Sequence, residues 1–405
     1  MLSAVPTLEN GEVIQSNRGQ NAVRPVRVRL EFLDGVRGFA ALYVVFFHIW
    51  IVVNNVPGMP RPLLAAMTPL GFGHFAVGVF IVLSGFCLML PVSRSKDGNL
   101  SKGVKGFIFR RARRILPPYY AALLCGAAWT FYLDYSALRQ GSAAALRHDF
   151  STGSLLTHLL LIQNLFPQWV DGFNSTHGFL ATEWQIYFLF ALGLLPLWRR
   201  FGMGAALTAG LAFGVFIHYA PPFRFHFDRT APWFLGLFAM GMLGAEIVFS
   251  ARREMERLRE WPLWDALTAA LALAFLAFTF CVKHSGVHFS DPVWLRDYAI
   301  PMDFTLGLAA MSFIVTCARH SLRQETRRPL ILRALENPLA LRLGRFSYSL
   351  YLLHLTVLSI VATALGHFVL SPVAYFALTW GLDIPLSLLL AYGFHCLAER
   401  PFMTK

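Results

Sequence analysis

The chain has 405 residues, 56% hydrophobic and 15% aromatic against only 14% charged, with a mean hydropathy of +0.53. Apolar stretches of membrane length recur from end to end, which excludes an ordinary soluble domain and points to an all-α polytopic integral membrane protein. The formal net charge of +13 arises from 35 Lys+Arg against 22 Asp+Glu, but the basic residues fall between the apolar runs, so membrane topology explains them and no nucleic-acid partner is expected.

Residues 1–29 are polar, end in Arg24, Arg27 and Arg29, and lack the short apolar core of a cleaved signal peptide. They are expected to form a disordered basic cytoplasmic tail ahead of a transmembrane domain over 30–405. The first span is predicted at about 38–56, closed by Pro57, Gly58 and Pro60, and the second at about 71–90. A basic loop follows, and the third span is predicted over 115–135 with Pro117 and Pro118 in its first turn, where proline is tolerated. Residues 155–165 are apolar but too short to cross and read as interfacial or re-entrant. Further spans are predicted at about 178–198, 201–219, 231–249, 263–282, 298–317, 346–368 and 373–397, about ten transmembrane helices in all. With the tail in the cytoplasm, 28 of the 35 basic residues fall on that side. Only Arg61, Arg139, Arg147, Arg224, Arg229, Lys283 and Arg296 fall on the other. That split supports the crossings and puts both termini in the cytoplasm. Cys87, Cys125, Cys281, Cys317 and Cys396 are scattered without a CxxC pair, so neither a metal site nor a disulfide framework is expected.

Several polar residues fall where an apolar span should hold none. Arg37 stands at the start of the first span and His48 well inside it. Eleven residues apart is almost a whole number of turns, so both project from one face, roughly 16 Å apart along the axis. An ionisable group at that depth faces a pathway or a partner. Arg110, Arg111, Arg113 and Arg114 crowd the start of the third span, in excess of what orientation needs. Their guanidinium forks suit phosphate, on a phosphorylated donor or an anionic lipid head group. His354 lies about 12 Å into the ninth span, at a depth comparable with His48. Glu183 enters the fourth span from the other side, with Gln185 and Tyr187 near, and needs a partner such as Arg or His. Asp303 and Asp383 read as structural residues pairing helices. The residue types suit base-assisted acyl transfer, in which an imidazole or carboxylate takes a hydroxyl proton and positioned donors hold the oxyanion. A proton-coupled transporter keeps the same residue types inside its spans.

The motifs resemble those of the integral-membrane acyltransferase 3 family. Arg37 and His48 are similar to its first-span signature, GVFIVLSGF with Ser84 and Gly85 to its second-span motif, and RRARRILPPYY to its basic motif, with Arg111 and Arg114 as the pair. ATEWQIY resembles its acidic motif at Glu183, while RFSYSLYLLH and AERPF resemble its last landmarks, at His354 and Glu399–Pro401. Gly178 and Phe179 replace a frequent Trp-Ser pair, so acceptor contacts are expected to differ. The soluble esterase-like domain fused to some relatives is not expected here. The resemblance implies an O-acyltransferase of a bacterial cytoplasmic or inner membrane, with acetyl-CoA or another acyl-CoA as co-substrate and no permanently bound cofactor. The acceptor would be a carbohydrate or glycoside hydroxyl, on a surface polysaccharide, glycolipid or exported oligosaccharide, or on a small glycosylated metabolite met from the cytoplasm. It also implies His48 as catalytic base with Arg37 and Glu183, and Arg110, Arg111, Arg113 and Arg114 toward the coenzyme phosphates. Ser84, Tyr119, Gln185, Tyr351 and His354 are the expected substrate contacts.

Overall fold

Backbone amides and carbonyls have no water to bond in a bilayer, so apolar runs of this length must satisfy themselves as helices. A computed structural model gives the structure of residues 30–95, 97–139, 150–170, 172, 177–221, 227, 230–285, 294–323 and 328–403. Before residue 30 it describes only the short pairing of Leu8–Glu9 with Glu12–Val13, and the tail expected over 1–29 otherwise lies outside the described residues.

From Leu30 onward every regular element described is helical. In order these are α1 (Phe32–Asn54), α2 (Arg61–Met67), α3 (Gly73–Ser93), α4 (Gly103–Arg139), α5 (Thr152–Leu160), α6 (His177–Leu189), α7 (Leu195–Phe201) and α8 (Met203–Tyr219). They continue as α9 (Phe234–Phe249), α10 (Arg253–Glu260), α11 (Trp264–His284), α12 (Ala299–Arg323), α13 (Leu330–Leu335), α14 (Pro338–Arg345), α15 (Ser347–Gly366) and α16 (Pro372–Phe394). Each of the ten predicted spans falls mainly within these helices. Among the described residues, seven are long and apolar enough to cross a membrane, or eight if α9 and α10, bent by 91°, count as one span. This is a polytopic membrane protein. The 17-residue α8 is shorter than a full crossing, and α4 is diluted by its basic first half.

α4 differs from its prediction. It runs unbroken for 37 residues, so the arginine cluster is helical and Pro117 and Pro118 lie far inside the helix. Each proline leaves the carbonyl four residues earlier without its usual amide. Tertiary bonds tie this stretch down instead: the Tyr348 hydroxyl donates to the Ile115 carbonyl at 3.0 Å, and those of Tyr119 and Tyr120 donate to the His158 and Leu159 carbonyls at 2.8 Å. The apolar segment 155–165 forms the short α5, capped by the Ser151 side chain, and Leu161 then turns left-handed.

The core lies where α3 packs along α9, with α12 against both. Gly85 and Gly241 make that crossing possible. A Cβ on Gly85 would stand 2.0 Å from the Phe238 carbonyl oxygen, and one on Gly241 would stand 2.0 Å from that of Val82. A smaller apolar cluster joins α1 to α15 and α16 through Ala41, Val45, Ile49, Leu350, Leu358 and Ala391. Leu273, Leu276 and Phe280 of α11 and Leu386, Leu389 and Leu390 of α16 are exposed, as lipid-facing side chains are.

Candidate active site

The α1 and α3 helices run antiparallel and are joined where Arg37 Nη2 donates to Cys87 Sγ at 2.9 Å, while Arg37 Nη1 pairs with Asp34 at 3.0 Å. A cavity of about 870 Å³ runs past this level along one face of α3, lined from Ser95 and Pro91 through Leu88 and Ser84 to Ile81 and Val77. At 1.5 Å per residue that face is about 27 Å long.

Its two ends differ in character. One end is cationic, with Lys102, Arg110, Arg111 and Arg114 beside the lip formed by Ser95, Asp97, Asn99, Leu100 and Ser101. The lip is fixed by Arg199 Nε, which donates to the Gly98 carbonyl at 3.0 Å, and by Arg110, which donates to the Ser101 carbonyl at 2.8 Å. Hydrogen bonds from the Asn99 side chain and backbone hold the exposed Asp97 carboxyl below its ordinary range. Arg111 Nε is buried and makes no hydrogen bond among the described residues. The other end is apolar, lined by Val77, Phe80, Ile81, Phe179 and Leu180.

Between the two ends lies a carboxylate. Ser84 Oγ and Tyr187 Oη both donate to Glu183 Oε1, at 2.6 and 2.5 Å. The hydrogen bonds to Glu183 come from hydroxyls, and the cation expected near it is Arg111, which lines the same cavity and interacts with the carboxylate electrostatically. A carboxylate so held accepts two hydrogen bonds on one oxygen and keeps its second oxygen available to the cavity.

The expected site residues divide between the cavity wall and the layer behind it. Arg37, Ser84, Arg110, Arg111, Arg114, Glu183 and Tyr351 line the cavity. Arg113 is exposed and does not. Tyr119 is fully buried, bonded to the α5 carbonyl, and Gln185 Nε2 donates to Asn164 Oδ1 at 2.7 Å and to the Leu161 carbonyl at 3.3 Å. Both therefore hold the 155–165 segment and stay off the cavity.

His48 and His354 also stand just off the wall, and they meet. His48 Nδ1 lies 2.8 Å from the Val44 carbonyl and 3.2 Å from His354 Nε2. His354 Nδ1 donates to the Tyr351 carbonyl at 2.8 Å, so in the neutral ring its Nε2 is an acceptor. His48 Nδ1 then carries the proton, and His48 Nε2 keeps a lone pair unused by any described residue; these tautomers follow from the hydrogen bonds. Counting from the Arg37–Cys87 level, His48 is about 16 Å along α1, and the same rise along α3 reaches Ala76 and Val77. The Phe47 ring occupies the space beside Gly73, about one turn further along α3 than the long Arg37 side chain alone would place it. The imidazole pair is thus level with the apolar end of the cavity.

Sequence reasoning did not anticipate His74. Its Nε2 lies 2.9 and 3.1 Å from the two oxygens of Asp303, which also accepts from Trp233 Nε1 at 2.7 Å. Asp303 thereby joins α3 and α12 to the residue that precedes α9, the helix-pairing role expected of it. Asp383 is different: it is fully buried, Ser387 donates to Oδ2 at 3.5 Å, and Oδ1 has no partner among the described residues. Glu399 accepts from Ser349 Oγ at 2.6 Å and from His395 Nδ1 at 2.8 Å, tying the end of α16 to α15.

A family model described as an acyltransferase domain matches residues 30–392. Among curated proteins, the acyltransferase MdmB of Streptomyces mycarofaciens is 27% identical over 82% of this chain and 80% of its own length. A Bacillus subtilis protein provisionally named a peptidoglycan O-acetyltransferase, YrhL, is 25% identical over 40% of this chain and 23% of its own. A Staphylococcus aureus protein provisionally named an O-acetyltransferase, SACOL0978, is 21% identical over 91% of this chain and 56% of its own. The chain therefore spans most of the first relative but only a quarter to about half of the other two. No solved structure matches.

Proposed function

Because the chain belongs to this acyltransferase family, we propose that it moves an acetyl or other short acyl group from cytoplasmic acyl-CoA to a carbohydrate or glycoside hydroxyl. Membership makes it an enzyme and a membrane O-acyltransferase; the proton-coupled transporter is set aside. Donor, acceptor and a bacterial cytoplasmic membrane are our reading.

The observation that carries it is the polarity of the cavity. Phosphates of the coenzyme would lie among Lys102, Arg110, Arg111 and Arg114, where Arg111 Nε has no hydrogen-bond partner among the described residues. The pantetheine arm would pass Ser84 and Glu183, and the acyl end would arrive among Val77, Phe80 and Phe179, level with His48. His48 Nε2 takes the proton of the acceptor hydroxyl, the oxygen attacks the thioester carbon, and the coenzyme leaves as a thiol after receiving that proton. Glu183, Ser84 and Tyr187 hold the pantetheine arm, and Arg37 supplies positive charge midway along the cavity.

The test is coenzyme A release from acetyl-CoA by purified protein with a glycan acceptor, alongside His48→Ala. The reading expects saturable binding of coenzyme A and loss of transfer in the variant. Full turnover in His48→Ala, or no binding of coenzyme A, overturns it. In sealed vesicles of known orientation, acylated product inside or outside tells whether the acceptor is an exported glycan or a small cytoplasmic glycoside.

A further inference from the structure

Immediately beyond the apolar end of the cavity lies the His74–Asp303 pair, which the reaction described above leaves unused. His74 precedes Val77 by three residues on the same face of α3, and its ring is 5.9 Å from that of Phe179; Val77 and Phe179 both line the cavity. From the Arg37–Cys87 level it is about 20 Å along α3, within one helical turn of the depth of His48. The Phe47–Gly73 contact brings the two helices together beside both imidazoles, since Phe47 adjoins His48 and Gly73 adjoins His74.

The pair has the chemistry of an oriented hydrogen-bond acceptor. Asp303 is wholly buried and is fixed by Trp233, so it demands a donor, and Nε2 of His74 is that donor. In the neutral ring Nδ1 is then a lone pair, and it bonds to none of the described residues. The His74 side chain retains 17% of its accessible surface, whereas Asp303 retains none. A carboxylate that fixes one ring nitrogen so that the other meets a hydroxyl is the arrangement used to present imidazole to alcohol groups.

We infer that His74, held by Asp303, is the acceptor-side subsite: its Nδ1 receives the hydrogen bond of a second hydroxyl on the molecule whose first hydroxyl loses its proton to His48. This rests on the proposed function and narrows its acceptor to a polyol, a sugar or glycoside rather than a simple alcohol. It also gives the acceptor an approach from the end of the bundle opposite the arginines.

The experiment compares octyl glucoside with octanol as acceptors, using acetyl-CoA, in wild type, His74→Leu, His74→Gln and Asp303→Asn. Wild type favours octyl glucoside. His74→Leu raises the acceptor KM about tenfold to a hundredfold, the range for deleting one partner of a buried hydrogen bond. It also erases the preference over octanol and leaves donor KM unchanged. His74→Gln, whose amide can donate to Asp303 and accept a hydroxyl, keeps most of the affinity, and Asp303→Asn behaves between the two. Should His74→Leu fail to fold, wild type still decides: octyl glucoside shields His74 from diethylpyrocarbonate, read by peptide mass spectrometry, and coenzyme A alone does not. An unchanged acceptor KM in His74→Leu, or modification of His74 indifferent to octyl glucoside, overturns the inference. So does an enzyme that hydrolyses acetyl-CoA but acylates neither acceptor, and in that case the proposed function survives. Absence of any thioester consumption sinks that function too.

Discussion

Replacing Gly241 by alanine asks whether one backbone crossing sets the position of the cavity wall. The new Cβ would stand 2.0 Å from the Val82 carbonyl oxygen and 2.8 Å from the Phe86 amide nitrogen, and neither atom can rotate away. Ordinary contact begins at 3.4 Å, so α9 and α3 must part by about 1.4 Å along that line. Overpacking of this kind costs about 1–3 kcal/mol, against about 1 kcal/mol gained from the better helix propensity of alanine. The larger effect falls on turnover. Ser84 stands two residues beyond Val82 and reaches across to Glu183 on α6, so parting the helices stretches the 2.6 Å bond. Misplacement of about 1 Å in a reacting constellation costs on the order of a hundredfold in rate. Gly244→Ala is the control, one turn along the same helix. Its Cβ would meet Met311 Cγ at 3.3 Å and the side chains of Phe86 and Val315 at 3.5 Å, contacts a flexible side chain absorbs. Thermal unfolding in detergent and acyl transfer at saturating acetyl-CoA are measured for both. If the two variants prove equally stable and equally active, the crossing does not position the wall and the reasoning fails.

Further expectations are open to direct test. Arg111→Ala and Arg114→Ala raise the donor KM about tenfold or more and flatten its dependence on salt, while Arg113→Ala, exposed and off the cavity, leaves both unchanged; steady-state kinetics across ionic strength reads the difference. Gln185→Leu leaves Asn164 and the Leu161 carbonyl short of a partner and lowers stability by about 1–3 kcal/mol with donor KM intact, seen as an earlier unfolding transition. His354→Leu removes the acceptor that orients the His48 ring and cuts kcat at least tenfold without raising donor KM, which a stopped assay with acetyl-CoA resolves.

Much of this was readable before any coordinates. The helical segments follow from apolar length, and Arg37, His48 and His354 stood out because charge or imidazole is costly at that depth. The rise per residue put His48 and His354 at comparable depth, and the structure brings them within 3.2 Å. Three things were not legible. Arg113 and its neighbours read alike in sequence, and only the rotation of α4 separates the three that line the cavity from the one that does not. Tyr119 and Gln185 sit inside motifs yet serve α5, because a motif records the backbone's neighbours as well as the ligand's. His74 passed unnoticed because it opens a helix, where a histidine is unremarkable until Asp303, 229 residues away, is folded against it.

The two consecutive prolines of α4 have a mechanical consequence. A rod with missing rungs is weakest to bending at that joint, and here the joint separates the arginine-bearing half from the half fastened by Tyr119 and Tyr120. Bending strain on the helix is therefore taken up between its cationic half and the half its tyrosines fasten. The cationic half and the fastened half thus belong to one continuous helix, with no loop between them.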